Sequence, residues 1–306
     1  MKILVATDKP FAKVAVDGIR SIVEGAGHTL ALLEKYTTQE ELYAAVVDAD
    51  AMIVRSDKVT KEVIAASQNL KIVVRAGAGY DNLDLAACTE RSIVAMNTPG
   101  QNSNAVAELA LGMMVYMARN TFQPGTGAEL KGKKLGIHAF GNIGRLVAGI
   151  AKGFGMEVYA FDPFVPAEVI TNEGVHVVNS VEELYTKCQY VSLNIPANAQ
   201  TKGSIGAALL SKMPKGGCVI NTARKEVMNE GELAQVLEER QDLKYATDVA
   251  PDNLALLQEK SGARVFATPK KMGAETAEAN INAGLAAANQ IVKFLATGDK
   301  TFQVNK

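Results

Sequence analysis

Leu135-Gly136-Ile137-His138-Ala139-Phe140-Gly141-Asn142-Ile143-Gly144 narrows what this chain can fold into more than any other stretch. An apolar run of strand character leads into a glycine turn, and the turn opens a helix that begins near Asn142. A second strand, predicted over 156–161, ends in Asp162, 18 residues past Gly144. Strand, tight turn, helix, strand and acid, in that order, make a dinucleotide-binding βαβ unit. The helix N-terminus offers free N–H groups and a positive dipole end to a pyrophosphate. Gly141 lets the backbone approach that group, and Gly144 lets helix and strand pack closely. Asp162 is placed to accept hydrogen bonds from the adenosine ribose hydroxyls, which favours NAD over a 2′-phosphorylated cofactor. The motif departs from its pattern at the first glycine, which is Ala139 here. Tight strand-to-helix turns use glycine even where nothing binds, so the flanking strands and the acid carry the reading.

The 306 residues are enough for two domains and a large core. A net charge of −1 gives nucleic acid and anionic membranes nothing to hold, so neither is expected as a partner. The opening run, residues 1–8, reads as a strand and is too short for a signal peptide. The most apolar helical stretch, 105–117, carries Glu108 and falls short of the ~20 apolar residues that span a bilayer. Cys88, Cys188 and Cys218 are far apart with no Cys-x-x-Cys, as expected of small buried residues in a reduced, cytoplasmic compartment. His28, His138 and His176 form no metal-ligand spacing with them, and no metal is expected.

Residues 1 to about 95 alternate strands (2–6, 29–33, 51–55, 71–75, 93–96) with helically spaced stretches such as 13–24, 39–47 and 60–67. That alternation implies a parallel sheet covered on both faces, with function at the strand C-termini. Arg55-Ser56 follows one such strand, and Arg75-Ala76-Gly77-Ala78-Gly79-Tyr80-Asp81-Asn82 spans the end of another. Asn97-Thr98-Pro99-Gly100 is the first plausible domain crossing. A long apolar helix over 104–119 is expected to be buried, and 120–133 reads as a polar connector. A second alternating run fills 134 to about 270, with strands at 134–138, 157–161, 175–178, 190–195, 218–222, 244–248 and 264–267. An Ala-rich helix over 275–295 then closes the chain and suggests a return to the first domain.

Taken together, these motifs resemble the D-isomer-specific 2-hydroxyacid dehydrogenases. The likeness is greatest to short D-3-phosphoglycerate dehydrogenases of the kind with lysine in place of the catalytic histidine. The resemblance rests on Val54-Arg55-Ser56 with Lys58-Val59-Thr60, on Val74 to Asn82, on Asn97-Thr98-Pro99 with Asn102 and Glu108, and on the glycine turn ending in Phe161-Asp162-Pro163. Asn221-Thr222-Ala223-Arg224 and Asp248-Val249 complete it. It implies an α/β fold of two doubly wound parallel-sheet, Rossmann-like domains with a cleft between them. The substrate-binding domain is expected to be discontinuous, 1–96 plus 275–306, around an NAD-binding Rossmann domain at 97–274. The implied activity is NAD-dependent oxidation of D-3-phosphoglycerate to 3-phosphohydroxypyruvate, the first step of serine biosynthesis.

A 2-hydroxy acid loses hydride from C2 to the nicotinamide and a proton from its hydroxyl. A cation must hold the carboxylate. Arg224, in the position of the family's catalytic arginine, has a planar fork that pairs with a carboxylate in bidentate fashion. By resemblance, the backbone around Ala78 and Gly79 also receives the carboxylate, and Asn102 belongs to the substrate site. Arg55 and Arg75 are candidates for a substrate phosphate, with Ser56 donating to it. The cofactor contacts implied are Asn142 and Ile143 at the turn, Asp162 and Pro163 at the ribose, Thr222 and Ala223 behind the nicotinamide, and Asp248 at the carboxamide. The family's His-x-Pro contact is altered to Asn194-Ile195-Pro196. His138 is expected to be a strand side chain with no catalytic part.

The general acid/base departs from the family. A Thr-Pro-His-x-Gly segment is replaced by Thr268-Pro269-Lys270-Lys271-Met272-Gly273, and the partner Glu falls near Asp252-Asn253. Counting back from Gly273 puts Lys271 at the histidine position, while counting forward from Pro269 puts Lys270 there; Lys271 is the expected proton carrier, ahead of Lys270. Lysine serves only if its free pKa of about 10.4 is lowered, by burial, by Arg224 and by the neighbouring lysine. The regulatory C-terminal domain of longer relatives is not expected, and the Trp-containing arm of the connector is absent; a homodimer remains the expectation. Two other functions stay open: a dehydrogenase for glyoxylate, hydroxypyruvate or another 2-hydroxy acid, and a non-catalytic NAD-binding regulator.

Overall fold

The computed structural model describes residues 1–305. The chain folds as two compact units, Met1–Asn102 together with the chain from Glu275 onward, and Ser103–Ala274. The first crossing therefore falls after Asn102, beyond the expected boundary at 96. The reason is local. The Asn97 side chain donates to the Ala78 carbonyl at 2.6 Å, and Thr98 N–H donates to the Gly77 carbonyl at 2.9 Å, which ties this loop to the first unit.

The first unit runs β1 (Lys2–Thr7), α1 (Lys13–Gly25), β2 (Thr29–Glu34), α2 (Gln39–Val46), β3 (Ala51–Val54), α3 (Lys61–Ala66), β4 (Ile72–Arg75), α4 (Leu85–Glu90) and β5 (Val94–Asn97). The five strands are parallel in the order β2-β1-β3-β4-β5. The apolar runs Ile3–Ala6 in β1, Ala51–Val54 in β3 and Ile72–Val74 in β4 suit strands covered on both faces. Ala15, Ile19 and Val23 form the buried stripe of α1 at helical spacing. Full burial of each large member contributes about 1.5–3 kcal/mol. The stripe packs on the C-terminal helix, Ala277–Thr297, whose own buried face is Ala279, Ala283, Ala287 and Ile291. Thr276 caps that helix by accepting Ala279 N–H, and Gly298 ends it in the left-handed conformation at φ 72°. After it, Asn305 accepts Ala95 N–H at 2.7 Å and donates to the Ile93 carbonyl, covering the β5 edge.

The second unit runs α5 (Ser103–Ala118), β6 (Lys134–His138), α6 (Asn142–Gly153), β7 (Glu157–Phe161), α7 (Ala167–Asn172), β8 (His176–Val177), α8 (Val181–Lys187) and β9 (Tyr190–Leu193). It continues through α9 (Ala207–Leu210), β10 (Cys218–Asn221), α10 (Glu230–Glu239), β11 (Lys244–Thr247), α11 (Leu254–Ser261) and β12 (Val265–Ala267). All seven strands are parallel, in the order β12-β11-β10-β9-β6-β7-β8. The order reverses at β6, so the glycine turn leaves the sheet at its switch point. Helix α5 is apolar around most of its circumference and buried, beside α6, β10 and β11. Strand β8 is shorter than 175–178 because only His176 and Val177 pair with β7. Strand β9 ends at Leu193 rather than 195, three residues before Pro196, which has no N–H to give a ladder. Asn120, Thr121 and Phe122 open the connector as a turn of positive φ.

Candidate active site

The glycine turn joins the end of β6 to α6, and Gly141 stands at the helix N-cap. Ala139 occupies the left-handed region at φ 77°, the conformation the missing glycine adopts without strain. An alanine there costs about 1 kcal/mol, which the surrounding turn must offset. Ala139 N–H reaches the Phe161 carbonyl, and the Asp162 carboxylate accepts Phe140 N–H through Oδ2 and Phe164 N–H through Oδ1, both at 2.8 Å. Asp162 thus fastens the second strand to the turn as well as presenting acceptor oxygens at its end. Gly144 is the tight point. A Cβ on it would lie 2.3 Å from the Ala139 carbonyl oxygen and 2.9 Å from Ile137 Cγ2. A Cβ on Gly141 would meet nothing within 4 Å, so that face of the turn is open to a ligand.

His138, the last residue of β6, is buried against the edges of Phe161 and Tyr185, with Tyr185 Oη 3.5 Å from Nδ1. Burial pushes its pKa down to about 4, against the pull of the Asp162 carboxylate. It is a neutral core imidazole beside the turn.

The ends of β9, β10 and β11 lie side by side in the same sheet. Asn221, at the end of β10, accepts Ala223 N–H at 3.0 Å and donates to the Arg224 carbonyl at 3.0 Å, which shapes the turn carrying Thr222, Ala223 and Arg224. The Arg224 guanidinium donates to the Ala223 carbonyl at 2.9 Å. Asp248 follows β11 and is 1% exposed. Its Oδ2 accepts Gly273 N–H at 2.7 Å, anchoring the loop of Lys270 and Lys271. Burial raises the Asp248 pKa; the Gly273 N–H and the charges of Lys271 and Arg224 oppose that shift. Lys271 and Arg224 therefore share the electrostatic surroundings of one carboxylate. The Lys270 carbonyl is held by the Thr268 hydroxyl at 2.7 Å, and both lysine side chains are exposed.

Three buried polar atoms at these strand ends have no partner among the described residues: Thr222 Oγ1, Asn194 Oδ1 and Asp248 Oδ1. Leaving such a group unsatisfied costs about 1–3 kcal/mol. A nicotinamide riboside, with amide donors and ribose hydroxyls, satisfies such a set, so the residues present fit NAD. Asp252, near the expected glutamate position, does not face the lysine loop. Its side chain is 80% exposed and pairs with Lys225 at 2.5 Å, while Glu230 accepts its N–H.

In the first unit, Arg55 and Arg75 sit at the ends of adjacent strands, and Arg75 Nε donates to the Arg55 carbonyl at 3.0 Å. Gly77 (φ 154°) lies under the Arg75 guanidinium, where a Cβ would be 1.5 Å from Nη1. Arg55 Nη1 donates to the Lys9 and Pro10 carbonyls at 3.0 and 3.3 Å, and Nη2 to Asn280 Oδ1 at 2.6 Å. Ser56 is exposed beside it, and Ala78 and Gly79 are partly buried in the following loop. Asn102, the last residue of this unit, keeps a buried Oδ1 with no partner among the described residues. Sequence reasoning missed Asn280, Glu230 and Asp57, which hold these loops. Each has a partner more than 20 residues away, Arg55 for Asn280, Asp252 for Glu230 and Asp8 for Asp57, and no local pattern marks those pairings.

Residues 103–270 match the family model described as "D-isomer specific 2-hydroxyacid dehydrogenase, NAD binding domain". A D-3-phosphoglycerate dehydrogenase of Methanocaldococcus jannaschii is 37% identical over 277 residues, 84% of this chain and 52% of that protein. A hydroxypyruvate reductase of Thermotoga maritima is 34% identical over 284 residues, 87% of this chain and 91% of that protein. The crystal structure of NAD+-bound 3-phosphoglycerate dehydrogenase from Entamoeba histolytica superposes with a TM-score of 0.87 at 50% identity, covering 100% of this chain and 99% of that one. The chain spans about half the length of the curated relatives it matches first. Among the described residues, no helix is long and apolar enough to cross a membrane, and no cluster of His, Cys, Asp and Glu is placed to hold a metal.

Proposed function

This chain belongs to the D-isomer specific 2-hydroxyacid dehydrogenase family, and on that premise we propose that it oxidises D-3-phosphoglycerate to 3-phosphohydroxypyruvate with NAD, as the first step of serine biosynthesis. The observation that carries the substrate choice is the pair of arginines at neighbouring strand ends, linked by the bond from Arg75 Nε to the Arg55 carbonyl. Two guanidiniums suit a phosphate dianion and have no counterpart in an unphosphorylated 2-hydroxy acid.

The roles follow from the chemistry. Arg55 and Arg75 hold the phosphate, with Ser56 donating to it. Arg224 and the backbone at Ala78 and Gly79 take the carboxylate, and Asn102 lines the substrate site. NAD, when bound, would supply the acceptor for the hydride leaving C2. The N–H groups of Asn142 and Ile143, brought close by Gly141 and Gly144, receive its pyrophosphate. Asp162 and Pro163 meet the adenosine ribose. Asn194, Ile195 and Pro196, with Thr222 and Ala223, surround the nicotinamide, and the unpartnered Oδ1 of Asp248 accepts from the carboxamide. Lys271, whose charge Asp248 senses, takes the hydroxyl proton; Lys270 is the alternative. Residues 1–102 with the chain from Glu275 onward then act as the substrate-binding domain, and the enzyme works as a cytoplasmic homodimer.

The test is NADH formation from D-3-phosphoglycerate beside D-glycerate, and NADH consumption with glyoxylate and hydroxypyruvate. Arg55→Ala is expected to raise KM for the phosphorylated acid at least tenfold, the loss of one charge-assisted contact. A preference for glyoxylate or hydroxypyruvate refutes the assignment, as does an unchanged KM in Arg55→Ala.

A further inference from the structure

The first unit has a switch point of its own. In the order β2-β1-β3-β4-β5 the winding reverses between β1 and β3, and sheets of this kind bind ligands where the loops leaving those strands part. Here the loops are Asp8-Lys9-Pro10 and Arg55-Ser56-Asp57. Asp57 joins them and is 5% exposed. Its Oδ1 accepts Asp8 N–H and the Tyr36 hydroxyl, each at 2.7 Å, and its Oδ2 accepts Arg55 N–H at 3.2 Å. The ends of β1, β2 and β3 thus converge on one carboxylate.

That convergence fixes Arg55 at both of its ends. Asp57 holds the Arg55 backbone directly. It also holds Asp8, whose next two residues present the Lys9 and Pro10 carbonyls that receive Arg55 Nη1. The guanidinium is seated further by Asn280 and by the Phe11 ring, 5.2 Å from Cζ. These bonds occupy Nη1 and one N–H of Nη2, leaving Nε–H and the other Nη2–H for an anion.

We propose that Asp57 is a positioning residue for anion recognition: it sets the strand-end geometry in which Arg55 meets the phosphate of the substrate. This rests on the phosphate reading of Arg55 and Arg75. A carboxylate placed only for stability shifts turnover of every substrate alike. One that positions Arg55 shifts discrimination between phosphorylated and unphosphorylated acids.

The experiment compares Asp57→Asn, Tyr36→Phe, Asp57→Glu and Arg55→Ala in the full chain. It measures kcat and KM for D-3-phosphoglycerate and D-glycerate, and Kd for NAD. Asp57→Asn keeps the shape but cannot accept all three donors as an anion does. Its preference for the phosphorylated acid, as a ratio of kcat/KM values, is expected to fall about tenfold through KM, with Kd for NAD unchanged. Tyr36→Phe removes one of the three donors and is expected to lower the ratio about threefold; it decides the matter if Asp57→Asn does not fold. Asp57→Glu restores part of the ratio. If Arg55→Ala lowers the ratio while Asp57→Asn and Tyr36→Phe leave it unchanged, the role of Asp57 is refuted and the phosphate site stands. If Arg55→Ala leaves it unchanged, both fall.

Discussion

Gly144→Ala and Gly149→Ala place the same methyl group at two positions of helix α6, and the structure assigns them opposite signs. At Gly149 the new Cβ meets nothing within 4 Å on an exposed helix face. Only helix propensity changes, a gain of about 1 kcal/mol. At Gly144 the same gain is outweighed. The Cβ would stand 2.3 Å from a backbone carbonyl oxygen, where ordinary contact begins at 3.4 Å. The obstacle, Ala139, already has a constrained positive φ and its own N–H bound to Phe161. Helix and turn must part by about 1 Å, an overpacking cost near 3 kcal/mol. The net is a loss of about 2 kcal/mol. For a unit of this size the transition that NAD shifts should fall by about 4–8 °C, while Gly149→Ala raises it by about 2–4 °C. The displaced turn no longer aims its N–H groups at the pyrophosphate, so Kd for NAD should weaken at least tenfold in Gly144→Ala and stay unchanged in Gly149→Ala. Differential scanning calorimetry with and without NAD, and titration calorimetry for Kd, read both effects. A Gly144→Ala protein as stable as Gly149→Ala, with wild-type Kd, would show that the absent Cβ does not seat the helix on the turn.

Other outcomes follow from the same sites. Gly141→Ala adds a methyl to the open face of the turn, so melting should not move while Kd for NAD rises about tenfold. Lys271→Ala should lower kcat by about 100- to 10,000-fold, and Lys270→Ala by less than tenfold; the reverse pattern moves the proton-carrying role to Lys270, and no effect in either removes it from the pair. His138 sets a pH dependence. Its imidazole titrates near 6.5 when unfolded and near 4 when folded, so the unfolded chain binds more protons between those values. Its contribution is intact above about 6.5 and is lost as pH falls toward 4, a change of about 3 kcal/mol. Urea denaturation at several pH values should show that acid-side slope, reduced in His138→Gln; equal slopes in both proteins would contradict a neutral buried imidazole.

The alternating elements and the glycine turn were legible because they depend on spacing along the chain. Periods of strand and helix, glycines at fixed offsets and an acid at a strand end are local properties, and they decided two parallel α/β units and a nucleotide-binding turn. Arg224 and the Lys270-Lys271 pair became candidates in another way, through ordered segments that resemble the family's. Tertiary structure decided the rest. Sequence put Lys271 ahead of Lys270, with one way of counting pointing to each. The bond from Gly273 N–H to Asp248, 25 residues away, fastens the lysine loop to the buried carboxylate, on which the charge of Lys271 acts. Asp57 looks like one more polar loop residue until the sheet order brings residues 8 and 36 to it, and Arg55 reaches Asn280 across 225 positions. Strand order is set by which apolar faces are buried together, a property of the whole core, so the hydrogen bonds that strand order makes possible cannot be read from any one segment. The turn itself shows the division: sequence placed Ala139 where a glycine belongs, and only the folded backbone revealed that this alanine adopts the glycine's conformation.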